Sequence, residues 1–161
     1  MDIRLVAGRE MKLVAIKVVG RRSELSHRVP LAWLDLTGRL ELIAHKVDPN
    51  IFYGLFLESD QLTDGLNGVH TYWVATEVTA FGDLPEGMVP LTIPAQNYAM
   101  ATVKGGAEQI EATYRGLFGW LRENGRRSNP DGYGFERYDN RRQLVTPPYD
   151  QFDYDIFKPL I

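Results

Sequence analysis

One order of elements occurs twice along the chain, and that repetition restricts the fold more than any single motif. Residues 11–19 (MKLVAIKVV) are rich in β-branched side chains and stop at Gly20, the pattern of a strand. After Ser26 and Pro30, which suit a helix entry, apolar residues recur at Val29, Trp33, Leu36, Leu40, Ile43 and Val47. Spacings of four and three predict an amphipathic helix with one buried face. Asp48-Pro49-Asn50 ends it, because a residue before proline is driven out of helical geometry. Two strands follow, at about 52–58 and 71–78, separated by the turn-prone segment 60–68.

The second half repeats this order. Residues 98–104 read as a strand, and 108–124 as a helix with Ile110, Tyr114, Leu117 and Leu121 on one stripe. Asn124-Gly125 ends that helix, since glycine takes the left-handed conformation without steric cost. Strands at about 134–138 and 152–158 close the second β-α-β-β unit. Tyr53-Gly54-Leu55-Phe56 aligns with Tyr133-Gly134-Phe135-Glu136, which makes Phe56 and Glu136 counterparts.

The fold class expected is α+β, a single domain over 1–161 with repeats at about 1–80 and 96–161. A Pro/Gly-rich crossover, 81–95, joins them, and its prolines rule out an uninterrupted helix or central strand. Two such units give a curved antiparallel sheet with two helices on one face. The other face is expected to stay partly open, and the concavity between the halves to be the ligand cavity.

Composition narrows the function classes. Net charge is -3, with 18 basic and 21 acidic residues, so no strong positive field exists to draw in a phosphate backbone, and direct nucleic-acid contact is not expected. The cluster Arg126, Arg127, Arg141 and Arg142 is expected on solvated loops. The absence of cysteine removes thiolate nucleophiles, thiolate metal ligands and disulfides, and fits a reducing compartment. Charges at Arg4, Arg9, Glu10, Lys12 and Lys17 interrupt the N-terminus, so no signal peptide or membrane segment is expected, and the localisation is read as cytoplasmic. His27, His45 and His70 lack metal-ligand spacing, and nucleotide-binding and hydrolase-elbow motifs are missing; neither a metal nor a cofactor is expected.

Several segments resemble the GyrI-like effector-binding family, the ligand-binding portions of bacterial multidrug-responsive regulators. They are the helix with Trp33, the strand Phe52-Tyr53-Gly54-Leu55, the run Leu84-Pro85-Glu86-Gly87-Met88, and Ile93-Pro94-Ala95 leading into Tyr98-Ala99. Phe118-Gly119-Trp120-Leu121, Phe135-Glu136-Arg137-Tyr138-Asp139 and Asp155-Ile156-Phe157-Lys158-Pro159 continue the match over nearly the whole chain. In the family's regulators this domain is fused to a DNA-reading module. The effector-like pattern here fills the sequence, so a free-standing ligand binder is expected, acting as sensor or sequestering protein.

The resemblance implies that Glu136 lies at the floor of the cavity, and strand periodicity adds Tyr138 on the same face. A carboxylate in an apolar cavity favours a cationic ligand, and aromatic rings add cation–π attraction of roughly 0.5–2 kcal/mol each. The candidates are Trp33, Tyr53, Phe56, Trp73, Trp120 and Tyr154. On strand 71–78 the alternating sets are Tyr72, Val74 and Thr76 or Trp73, Ala75 and Glu77. The second is preferred because Trp73 beside Glu77 would repeat the aromatic-plus-acid chemistry. The expected ligand is therefore a lipophilic cation or polar aromatic. Two alternatives also follow from the resemblance: a hydrolase of strained cyclopropane-containing genotoxins, with Glu136 as general base and Tyr138 or Trp73 orienting substrate, and a gyrase-inhibitor-like protein-interaction module.

Overall fold

Apolar runs along the chain build central strands that are buried on both faces, and with the more exposed edge strands they pair into one continuous sheet. The computed structural model describes residues 2–62 and 68–161. In chain order the elements are β1 (Arg4–Gly8), β2 (Met11–Gly20), α1 (Arg22–Gly38), β3 (Ile51–Leu57), α2 (Glu58–Leu62) and β4 (His70–Val78). They continue as β5 (Val89–Ile93), β6 (Gln96–Gly105), α3 (Glu108–Glu123), β7 (Tyr133–Asp139) and β8 (Phe152–Pro159). Among the described residues the strands form one antiparallel sheet in the order β1-β6-β8-β7-β3-β4-β2-β5.

That order reads the same from either end once the halves are exchanged, with β3 and β7 meeting at the centre. Leu55 pairs with Phe135, Gly54 with Glu136 and Phe56 with Gly134, so the aligned segments face each other about a pseudo-twofold axis. Both β-α-β-β units are present as expected. Two further strands had no sequence-based counterpart. β1 pairs with β6 of the other half, and β5, inside the crossover, pairs with β2. Pro90 is tolerated in β5 because that strand is an edge, where a missing N–H costs no ladder bond.

The first helix departs from expectation at both ends. It starts at Arg22, where the Arg21 N–H donates to the Glu24 carboxylate, and it carries Pro30 inside rather than at its entry. It stops at Gly38. A single 3-10 turn at Leu40–Leu42 follows, so Leu40, Ile43 and Val47 do not extend the helical stripe. Within the segment 60–68, residues 60–62 belong to α2 and 63–67 lie outside the described residues.

Strand periodicity divides the side chains between two cores. On one face Val14, Val18, Phe52 and Val74 pack under Trp33 and Leu36 of α1, while Ala99, Val103 and Ile156 pack under Leu117 and Leu121 of α3. Each fully buried Leu of this kind stabilises the fold by about 1.5–3 kcal/mol. The opposite face holds a core of its own, built from Leu13, Tyr53, Leu55, Trp73, Phe135 and Phe157. That face is thus better filled than the open concavity expected from sequence. No helix among the described residues is long and apolar enough to cross a membrane.

Candidate functional site

The central strand β7 sends Glu136 and Tyr138 to the helix-bearing face, into the gap between α1 and α3, and sends Phe135 and Arg137 to the other. The cavity between the halves therefore lies on the helix side. Opposite Glu136 stands Gly54, whose missing side chain leaves room for the Tyr72 hydroxyl. Tyr72 Oη donates to Glu136 Oε1 at 2.7 Å. Hydroxyls of Tyr154 on β8, Tyr138 on β7 and Tyr114 on α3 also favour the charged carboxylate by hydrogen bonding.

Two forces oppose each other at this carboxylate. Burial raises the Glu136 pKa above the usual carboxylate value, and the four tyrosine hydroxyls pull it back only in part. The same burial, with Glu136 nearby, raises the pKa values of Tyr72, Tyr114, Tyr138 and Tyr154, so these phenols remain neutral donors. Glu136 is only half-buried by surface area because it faces a cleft. The result is an acceptor held in a ring of donors, with no cation among those donors.

Two adjoining clefts open onto this cage. One, of about 230 Å³, is lined by Phe56, Tyr72, Tyr114 and Glu136, with Arg22 and Asp60 at its margin. The other, of about 250 Å³, is lined by Val29, Trp33, Tyr72, Tyr138, Tyr149 and Phe152. Tyr72 and Leu25 border both, so the Tyr72 ring is the partition between them. Aromatic contacts run along the wall: Trp33 on Tyr138 at 5.7 Å, Tyr138 on Tyr154 at 4.8 Å, and Phe56 stacked on Tyr72 at 6.4 Å.

Beneath the cage a second carboxylate is neutralised. Lys158 Nζ donates to Glu58 Oε1 at 2.6 Å and lies 4.3 Å from the centre of the Phe118 ring. Both side chains are essentially sealed from solvent, and Glu58 Oε2 has no hydrogen-bond partner among the described residues. Desolvation moves the pair toward neutrality, raising Glu58 and lowering Lys158, while their mutual attraction opposes it.

Sequence reasoning placed Glu136, Tyr138, Phe56, Trp33 and Tyr154 among the site residues, and the fold brings these together on the helix face. Trp73, Glu77 and Tyr53 lie on the opposite face, so the parity preferred for β4 is corrected: Tyr72, not Trp73, shares a face with Glu136. Trp73 packs against Tyr133 at 5.5 Å, and Glu77 pairs with Arg9. Trp120 packs, partly buried, with the core under α3 and borders neither cleft. Tyr72 belonged to the set that was weighed and not preferred, and Tyr114 was missed as a site residue. The available signal was a tyrosine within each apolar pattern, at positions where an aliphatic residue would pack as well.

Comparison with known proteins places this geometry in context. The chain is 31% identical over 157 residues to the transcriptional regulator BrlR of Pseudomonas aeruginosa, covering 96% of this chain and 56% of that protein. It thus spans a little over half the length of that relative. Among solved structures, SAV2435 bound to tetraphenylphosphonium superposes with a TM-score of 0.73 at 15% identity, covering 100% of this chain and 94% of that one. The EcmrR C-terminal domain gives 0.72 at 16% identity, covering 99% and 97%. These likenesses show the shared fold, and a family model matches residues 1–161; the chain belongs to the GyrI-like small molecule binding domain family.

Proposed function

We propose that this chain binds lipophilic organic cations in the clefts at Glu136, acting as a cytoplasmic sensor or sequestering module. The observation that carries this reading is the tyrosine-ringed Glu136 carboxylate, which has hydroxyl donors around it but no ion-pair partner among the described residues. A cation entering the cleft supplies the missing charge, and the faces of Trp33, Tyr138 and Phe56 add cation–π attraction. Hydrogen bonds from phenols hold the carboxylate in place without neutralising it, which leaves its field available to the ligand. The tetraphenylphosphonium held by SAV2435 supports this ligand class. The likeness to BrlR supports an effector-sensing role in regulation.

Calorimetry with tetraphenylphosphonium and the neutral triphenylphosphine oxide, on wild type and Glu136→Gln, tests the reading. The glutamine keeps the shape and removes the charge. The cation should lose at least ~10-fold in affinity, about 1.4 kcal/mol, with little change for the neutral compound. Equal losses for both ligands would reduce Glu136 to a packing role.

A further inference from the structure

The face of the sheet opposite Glu136 carries a cleft of about 290 Å³ whose lining has the reverse electrostatic character. Its floor is Met11, Tyr98, Phe135 and Phe157, and its charged lining residues are Arg9 and Arg137. An adjoining cleft of about 380 Å³ shares Arg9, Tyr53 and Arg137 with it.

The acids nearby are already engaged. Both oxygens of Glu77 accept from Arg9, with Nη2 to Oε1 at 2.9 Å. Asp155 accepts from Thr102 at 2.7 Å, from Arg142 and from Arg137 Nη2 at 3.1 Å, and these partners hold its pKa below the usual range against the effect of burial. Donors are left over. Arg137 lies 5.0 Å from the centre of the Phe157 ring, and its Nε and Nη1 have no acceptor among the described residues. The Tyr53 hydroxyl is also without a partner among them, although the residue is only 6% exposed and lines both clefts. Burial and the neighbouring Glu77 push the Tyr53 pKa up to about 12, so it is a permanent donor.

We propose that this cleft, on the face opposite Glu136, is a second ligand site, selective for small planar aromatic anions. The ring would lie on Phe135, Phe157 and Tyr98, with its carboxylate or sulfonate taking hydrogen bonds from Arg137 and Tyr53. A planar guanidinium presents two parallel donors to such a group, an arrangement stronger than a neutral hydrogen bond. The volume lies near the lower end of the roughly 300–1,000 Å³ of small-molecule pockets, which suits one or two fused rings. Glu136 and Arg137 are consecutive on β7 and face opposite ways, so one strand serves a cation on one side of the sheet and an anion on the other.

The test is an NMR titration of the full chain with 2-naphthoate, 2-naphthylmethanol and 2-naphthylmethylammonium, following backbone amides and arginine Nε–H signals. 2-Naphthoate should saturate, shift Arg137 Nε–H and the amides of β1 and β7, and bind at least ~10-fold tighter than the alcohol, the scale expected of a charge-assisted contact. Arg137→Gln should lose about that factor, and Tyr53→Phe about 3-fold, one unassisted hydrogen bond. The Tyr53→Phe arm keeps the test decisive if loss of the Asp155 contact unfolds Arg137→Gln. Glu136→Gln and saturating tetraphenylphosphonium should leave naphthoate binding unchanged, so failure here is separable from failure of the cation site. No saturation, equal affinity for acid and alcohol, or shifts centred on Tyr72 and Tyr114 would each overturn the proposal.

Discussion

Gly54 lies directly across the β3–β7 ladder from Glu136, and the Tyr72 hydroxyl occupies the space that a side chain at position 54 would fill. The glycine is therefore a steric requirement of the Tyr72–Glu136 hydrogen bond, not of the backbone. Gly54→Ala should displace the Tyr72 ring, destabilise the protein by ~1–3 kcal/mol as overpacking does, and weaken tetraphenylphosphonium binding. Gly38→Ala is the control, since a methyl there meets nothing within 4 Å; its stability should be unchanged or raised by up to ~1 kcal/mol. Urea denaturation of the two variants compares them, and a fully stable Gly54→Ala would refute the close fit.

The raised Glu136 pKa fixes the sign of a pH effect. Between its unfolded and folded values the native state holds the extra proton, so stability falls as pH rises through that interval. Glu136→Gln should remove this component and become the more stable protein at neutral pH. Cation affinity should run the opposite way, rising with pH as Glu136 ionises, and lie flat in the variant. Tyr72→Phe removes a donor that favours ionisation, so the affinity curve should move to higher pH. Denaturation and calorimetry from pH 4 to 9 would record both trends. An affinity curve in Glu136→Gln as steep as in wild type would assign the titration to another group.

The Glu58–Lys158 pair calls for a double-mutant cycle. Lys158→Met strands a carboxylate at a site with no exposure and should cost about 3–5 kcal/mol. Adding Glu58→Gln removes the stranded charge and should recover much of that loss. If the double variant is as unstable as the sum of the singles, the pair is not coupled in the way its geometry requires.

Two tryptophans report on opposite faces. Trp33 lines a cleft against Tyr138, whereas Trp73 packs against Tyr133 beyond the sheet. Tetraphenylphosphonium should quench fluorescence in wild type and in Trp73→Phe, and lose most of that quenching in Trp33→Phe. Quenching carried by Trp73 instead would place the cation on the face opposite Glu136.

Period-two alternation was enough to put Glu136 with Tyr138, because each strand's sides follow from its own residues. Which side of β4 joins them depends on how β4 pairs with β3, and that register is a tertiary fact. Trp73 beside Glu77 made a chemically reasonable pair on the wrong face. The helical stripe through Tyr114 was legible as a buried face, yet nothing local distinguishes a tyrosine that fills a core from one that donates to a carboxylate on another strand. β1 has only five residues and β5 contains a proline, so both lack the local strength of a strand and form because a partner edge is available.

The crossed pairing of those two edge strands makes the halves clasp one another. Arg4–Gly8 is bonded to β6, and Val89–Ile93 to β2, so each half is completed by the segment that leads into the other. A cut in the crossover ahead of β5 would leave both fragments with a bare sheet edge and an orphan strand, each matching what the other fragment lacks. The two outer ladders therefore differ in when they can form: β5 can join β2 as soon as the crossover exists, whereas the β1–β6 ladder closes a longer loop and needs the first strand of the second half. The same complementarity gives two whole chains a route to trade leading strands, an intertwined dimer whose sheets would contain every hydrogen bond of the monomer.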